Sequence, residues 1–133
     1  MSNAPSPPLI GDVDFVVIPS RDLEASSEFY GTKLGLRRSV YILDRHYSEF
    51  ETGNLTLSVV NADAMGIGHH VSHNAIAFHV DDVAAARATL EERGVTFAAD
   101  TMDTGVCHMA FFRDPDGNAL MLHNRYAPRV TDA

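Results

Sequence analysis

Histidine and cysteine are the side chains of this sequence that could take part in chemistry near neutral pH. The chain contains seven histidines and one cysteine. Two histidines in one cleft could act as a general acid and a general base, and the candidates are His79, His123 and His108. The alternative, which the sequence favours, is a histidine that is satisfied by one hydrogen bond within the fold.

Cys107 is the only cysteine, so it cannot form a disulfide within the chain. A nucleophilic thiol needs a depressed pKa and a nearby base. His108 does not supply that base, because adjacent residues of a strand point to opposite faces. One of these two side chains is therefore expected to face a cleft. The lack of a disulfide fits a cytoplasmic location.

Three more histidines, His69, His70 and His73, lie close together in a segment without periodicity. Such a cluster could hold a metal ion. It contains no cysteine and no carboxylate at ligand spacing, however, and is therefore more typical of an incidental surface cluster. We predict no metal ion and no cofactor.

The composition predicts one globular domain: the chain has 133 residues, of which 45% are apolar and 21% are charged. The net charge of −8 argues against binding nucleic acid, and fits either solubility or a cationic ligand. No apolar run approaches the ~20 residues that span a membrane. Residues 1–11 and 125–133 are expected to be flexible tails, and the first of them lacks the features of a signal peptide.

The first half of the chain, 12–61, predicts a strand, a helix and three more strands. Asp22 suits a helix N-cap, the helix extends from Leu23 to about Leu34, and Gly35 fits its end. The strands are expected at 12–19, 37–43, 46–51 and 55–60.

After a linker at 62–73, the same order returns in 74–124. Asp82 caps a helix at 83–93, and a polar loop is expected at 100–105. Asp114-Pro115-Asp116-Gly117 predicts a tight turn, because proline presets the second position and glycine tolerates a positive φ. The strands are expected at 74–80, 95–98, 107–113 and 118–123.

The two halves are repeats of each other. Asp82 lies 60 residues after Asp22, and Gly117-Asn118 lies 64 residues after Gly53-Asn54. Two half-sheets with one helix each predict an α+β fold, in which two tandem βαβββ modules form a curved mixed sheet around a cleft and the helices lie on the outer face.

Several short motifs occur in this order along residues 12–124. They are Asp22-Leu23-Glu24-Ala25-Ser26, Phe29-Tyr30, Leu34-Gly35-Leu36, Phe50-Glu51-Thr52-Gly53, Ile76-Ala77-Phe78-His79-Val80-Asp81-Asp82 and Phe112-Arg113-Asp114-Pro115-Asp116-Gly117-Asn118. Together they resemble the vicinal oxygen chelate superfamily, also called the glyoxalase/bleomycin-resistance/dioxygenase superfamily. The resemblance implies the glyoxalase-like fold, and a homodimer whose clefts are shared between the chains. It does not imply one activity.

Metalloenzymes that the chain resembles hold a divalent ion with four side chains, from the first and last strand of each module. Counted onto this sequence, the four positions are Phe15, Leu57, Ala75 and Met121. Three have no donor atom, and a thioether is a poor ligand for such a metal. A slip of one residue does not restore a ligand set, because it brings in Asp14, Asn74, Thr56 or Ser58, and Leu120 or Leu122.

The side chains that alternation places with these positions predict an apolar ligand pocket, although they could equally fill the core. Phe50 and Phe111 are candidates to stack on a planar ligand. The predicted ligand-binding residues are Phe15, Val17, Phe50, Leu57, Val59, Ala75, Ala77, His79, Phe111, Met121 and His123.

Two functions are compatible with this pocket. The first is the binding and sequestering of a small, largely apolar or cationic molecule, such as an antibiotic or a metabolite. The second is a lyase, isomerase or dioxygenase that uses the cleft histidines or a relocated divalent metal. The only partners we expect are the small molecule and a second copy of the chain, without nucleic acid or membrane.

Overall fold

The first module consists of a strand, a helix and three strands. The structure is a computed structural model that describes residues 8–128, apart from the side chain of Leu43. A π-helical turn, Phe29–Lys33, continues the helix, and a 3-10 turn, Leu43–Arg45, joins the second strand to the third. The elements are β1 (Phe15–Ser20), α1 (Leu23–Glu28), β2 (Arg37–Ile42), β3 (Tyr47–Glu51) and β4 (Thr56–Asn61).

The second module repeats this order: β5 (Ile76–His79), α2 (Val83–Glu92), β6 (Met102–Asp103), β7 (Cys107–Arg113) and β8 (Ala119–Arg125). The prediction of a strand at 95–98 is wrong, because this segment forms only an isolated bridge between Phe97 and Phe112. The strand β6 lies instead within the predicted polar loop. Val95 and Phe97 are buried in the core. Their alternation with exposed residues therefore results from packing on the core and not from pairing with a neighbouring strand.

Both helices begin at the predicted caps. The carboxylate of Asp22 accepts a hydrogen bond from the amide of Ala25, and that of Asp82 accepts one from the amide of Ala85, at 3.1 and 3.0 Å. A side-chain acceptor at this position satisfies an amide that has no partner within the helix. Gly35, at a φ of +74°, follows the end of the first helical segment as predicted.

The eight strands form two four-stranded sheets, with strand orders β1-β4-β3-β2 and β5-β8-β7-β6. In each sheet the first strand pairs parallel to the last strand of its module, and the other pairs are antiparallel. The predicted α+β fold of two repeated modules is confirmed.

One hydrophobic core connects the two modules. The ring of Phe29 lies 6.3 Å from that of Phe112, and the ring of Tyr30 lies 5.8 Å from that of Phe50. These two aromatic residues of the first helical segment therefore pack on both sheets. Among the described residues, no helix is long and apolar enough to cross a membrane.

Candidate functional site

Each sheet has one face on the shared core and an opposite face, which we call the open face. On the first sheet the open face begins with Phe15 and Val17 of β1, which are 53% and 49% exposed. Ile18, which points the other way, is 2% exposed. Two large apolar side chains are therefore accessible on a strand whose other face is buried.

The predicted face of β4 is wrong. Leu57 and Val59 were expected in the cleft, but both are 0% exposed and belong to the core. The register pairs Val17 with Ser58, and paired residues of neighbouring strands share a face. Ser58 and Thr56 therefore lie on the open face with β1.

The cause of this error is a difference of one residue between the two hairpins. Glu51 pairs with Thr56, which leaves four residues in the β3–β4 loop. Arg113 pairs with Ala119, which leaves five residues in the β7–β8 loop. An alignment of the two hairpins by their Gly-Asn pairs therefore shifts the register of β4 by one residue. Such a shift moves every side chain of the strand to the other face of the sheet.

Phe50 was also expected to contact a ligand, and this prediction is wrong. Its side chain is 0% exposed, and its ring packs 5.8 Å from that of Tyr30. Phe50 is the register partner of Leu57, so it shares the buried face of the first sheet. Its role in this structure is core packing.

Two carboxylates lie on the same open face and were missed from the sequence. Glu51 accepts hydrogen bonds of 2.5 Å from the hydroxyls of Ser39 and Thr56. These bonds, first that of Ser39 and then that of Thr56, lower the pKa of the Glu51 carboxyl below its ordinary value. Glu49 is the register partner of Ser58 and is partly buried. The first open face thus combines apolar side chains and two carboxylates with Arg37, the register partner of Glu51 on β2.

The open face of the second sheet carries the remaining predicted residues. Ala77 pairs with Met121, which pairs in turn with Phe111. Ala77 is exposed, whereas Met121 and Phe111 are partly buried. Ala75, which precedes β5 in the chain, is also partly buried. This face is mostly apolar, as the alternation predicted.

His79 and His123 are direct register partners on this second open face. The ring of His79 is exposed, and its Nε2 lies 3.2 Å from Oδ1 of Asp81. His123 is partly buried and is also the register partner of Met109. The fold therefore brings together the two histidines that the sequence proposed as an acid–base pair.

His108, the third candidate, does not share that face. It lies on the opposite side of β7 from Met109, and its Nε2 is 3.3 Å from Oδ2 of Asp103. The ring of Tyr126 is 4.8 Å from the His108 ring, and its hydroxyl donates to Asp103 at 2.7 Å. The Asp103 hydrogen bond raises the pKa of Tyr126. The backbone N–H of Gly105 and then the Tyr126 hydroxyl lower the pKa of Asp103.

Cys107, and not His108, is the member of the adjacent pair that shares the face of Met109. The thiol is buried, and Nη1 of Arg125 lies 3.9 Å from its sulfur. Burial limits the access of an attacking or oxidising reagent to this thiol. The geometry gives Cys107 a packing role.

The family model described as the Glyoxalase/Bleomycin resistance protein/Dioxygenase superfamily matches residues 12–122. The chain belongs to this superfamily. No curated protein matches the chain.

Solved structures support the same fold. An antibiotic-binding protein, TnmS3 from Streptomyces sp. CB03234, is 25% identical with a TM-score of 0.74, over 88% of this chain and 98% of that one. A superfamily member from Sphaerobacter thermophilus DSM 20745 is 24% identical with a TM-score of 0.75, over 86% and 98%. A lactoylglutathione lyase from Agrobacterium tumefaciens is 18% identical with a TM-score of 0.73, over 89% and 95%.

The metal positions of the glyoxalase superfamily can now be placed on the observed register. Ser58 replaces Leu57 as the position equivalent to Met121, since Ser58 pairs with Val17 as Met121 pairs with Ala77. The set becomes Phe15, Ser58, Ala75 and Met121. A benzyl ring, a hydroxyl, a methyl and a thioether do not fit a divalent ion, for which nitrogen and carboxylate ligands are usual.

The linker histidines do not supply a substitute ligand set. His70 and His73 are exposed, and the backbone N–H of His69 donates to Oδ1 of Asp63 at 2.9 Å. Within residues 8–128, no group of three or more His, Cys, Asp or Glu side chains is arranged to hold a metal ion.

Proposed function

We propose that this glyoxalase-superfamily protein binds and sequesters a small, largely apolar or cationic molecule on its open faces, without a metal ion. The observation that carries the proposal is the pair Phe15 and Val17, which are half exposed on the strand where metalloenzymes of the superfamily place a ligand. Accessible apolar walls with few polar groups are typical of small-molecule sites.

The carboxylates of the first open face support the cationic alternative for the ligand. Glu51 has a lowered pKa, and its hydrogen bonds from Ser39 and Thr56 favour the charged form. Glu51 is the register neighbour of Thr56, which is the register neighbour of Phe15. A cation that contacts this carboxylate can therefore place an apolar group on the Phe15 ring.

We also propose that a second copy of the chain completes each cleft, as the resemblance implies. In one chain, the described residues leave Phe15 and Val17 about half exposed. Exposed apolar groups on a sheet face mark an interaction surface when they lie together. In a dimer, the first open face of one chain and the second open face of its partner would form the two walls of one cleft.

Native mass spectrometry with elemental analysis on freshly purified protein tests this proposal. We expect a dimer, an organic molecule that dissociates under activation, and much less than one metal ion per chain. Phe15→Ala should weaken the binding of the co-purified molecule, whereas Ile67→Ala, at an exposed linker position, should not. One metal ion per cleft at full occupancy would contradict the proposal.

An enzyme of the same superfamily is the second candidate, and the pairing of His79 with His123 favours it. Neighbouring imidazoles can give and accept a proton near neutral pH. The assay is turnover of the methylglyoxal–glutathione adduct and of catechols by the wild type and by His79→Ala and His123→Ala. Turnover that is lost in both variants would establish catalysis and replace the sequestering function.

A further inference from the structure

A cavity of about 770 Å³ lies between α2 and the β3–β4 hairpin. Among the sheet residues of its wall, Leu57, Ile76, Phe78 and Leu122 belong to the core faces, whereas Ala77 and His79 belong to the second open face. The first open face, with Phe15 and Val17, contributes no residue to the wall. Its volume is within the range of sites for drug-sized molecules. Leu34, Leu36, Leu55 and Leu90 complete the apolar wall.

The cavity exists because the two modules are closed differently. At the equivalent place in the repeat, α1 is joined to the β7–β8 turn: Ser26 donates to Asp116 at 3.0 Å, and Tyr30 donates to Asp114 at 2.6 Å. Sixty residues later, the equivalents of Ser26 and Tyr30 are Ala86 and Leu90.

The hairpin opposite α2 also lacks the matching groups. Thr52 precedes Gly53 where Asp116 precedes Gly117, and within residues 8–128 no hydrogen bond joins α2 to the β3–β4 loop. Ala86 and Leu90 line the cavity that remains. The cavity is thus a consequence of the sequence, because Ala86 and Leu90 are smaller than Ser26 and Tyr30 and cannot form the hydrogen bonds that join α1 to its hairpin.

The charge at the edge of this cavity is positive although the whole chain carries −8. Arg93 is the only permanently charged residue in the wall, and no carboxylate side chain is part of it. Arg93 follows the last residue of α2, and its Nη1 donates to the carbonyl of Lys33 at 2.9 Å. Its full charge outweighs the partial negative charge of the helix end.

We propose that this cavity is a second ligand site, which takes an apolar molecule that carries one carboxylate. The apolar body lies among the leucine, isoleucine and phenylalanine side chains. The carboxylate lies on the remaining N–H groups of Arg93, which form a planar fork that suits a carboxylate. Thr52, Asn54 and Thr89 contribute polar groups to the same wall. A cationic ligand finds no counter-charge there.

Decanoate and uncharged decan-1-ol are the matched probes for this site, and calorimetric titration is the measurement. We expect decanoate to bind the wild type at least tenfold more tightly than decan-1-ol does. Arg93→Gln keeps a donor for the Lys33 carbonyl but removes the charge, so it should weaken decanoate about tenfold and leave decan-1-ol unchanged. Arg45→Gln, at an exposed position outside the cavity wall, should change neither affinity.

A second variant and a second measurement locate the site. Ala86→Leu places a larger side chain in the wall and narrows the cavity, so it should weaken both probes, while circular dichroism shows that the fold is kept. Backbone amide shifts on adding decanoate should be largest at Leu55, Ala86 and Thr89. Equal affinity of the two probes, an undiminished affinity in Arg93→Gln, or shifts centred on Phe15 and Val17 would each overturn the proposal.

Discussion

Tyr30 donates a hydrogen bond of 2.6 Å to Oδ2 of Asp114 and thereby ties the first helical segment to the hairpin turn of the second module. The Asp114 carboxylate is buried and also accepts from the amides of Asp116 and Asn118, both at 2.9 Å. Burial, followed by the negative charge of Asp114, raises the pKa of the Tyr30 hydroxyl. The tyrosine therefore remains the donor throughout the accessible pH range.

Removal of this hydroxyl should destabilise the protein. Tyr30→Phe leaves a buried carboxylate without one of its donors, and we expect the free energy of unfolding to fall by about 2 kcal/mol. Urea unfolding followed by circular dichroism measures the change. Tyr126→Phe is the matched control, because it also removes a tyrosine hydroxyl that donates to a carboxylate, but the carboxylate, that of Asp103, is exposed. The free energy of unfolding should fall less in Tyr126→Phe than in Tyr30→Phe. An equal fall in the two variants would contradict the role of burial.

The glycines of the two hairpins should respond differently to alanine. Gly117 has a φ of +89°, a conformation that L-residues rarely adopt, so Gly117→Ala should cost about 1–2 kcal/mol of unfolding free energy. Gly53 is outside that region and has no atom within 4 Å of an added Cβ. Gly53→Ala should therefore be neutral or stabilising by about 0.5 kcal/mol, through the unfolded state. Thermal unfolding of both variants tests the contrast.

The lowered pKa of Glu51 predicts a specific pH dependence. Its folded pKa lies below its unfolded value, so its contribution to stability is present above the unfolded pKa and is lost as the pH falls through the folded pKa. The wild type should lose more stability than Glu51→Gln between pH 6 and about pH 3. Urea midpoints across this range measure the difference, and Glu28→Gln, at an exposed helix position, should follow the wild type.

The proposed dimer can be tested on the first open face. Val17→Asp places a charge on a surface that we expect to be covered by a second copy, so the variant should be monomeric in size-exclusion chromatography with light scattering. Its circular dichroism should match the wild type, since Val17 is 49% exposed in one chain. Ile67→Asp, at a position that is 65% exposed in the linker, is the control. A dimeric Val17→Asp would place the interface elsewhere.

Local sequence signals determined much of the fold. The aspartate caps, the positive-φ glycines and the Asp114–Gly117 turn depend on neighbouring atoms, so they could be predicted from types and spacing alone. The repeated order of elements followed from these signals. The open-face positions of Phe15, Val17 and Met121 followed from alternation along single strands.

Other features depend on how strands and modules meet, and only the tertiary structure decided them. The face of β4 depends on one residue of loop length, which places Leu57 in the core and puts Ser58, although it is also buried, on the side of Phe15 and Val17. The contact of Tyr30 with Asp114 joins residues 84 positions apart, and the cavity beside Arg93 is the space left where α2 lacks such a contact. Side-chain periodicity specifies which residues alternate, whereas pairing register and long-range packing specify what each face contacts.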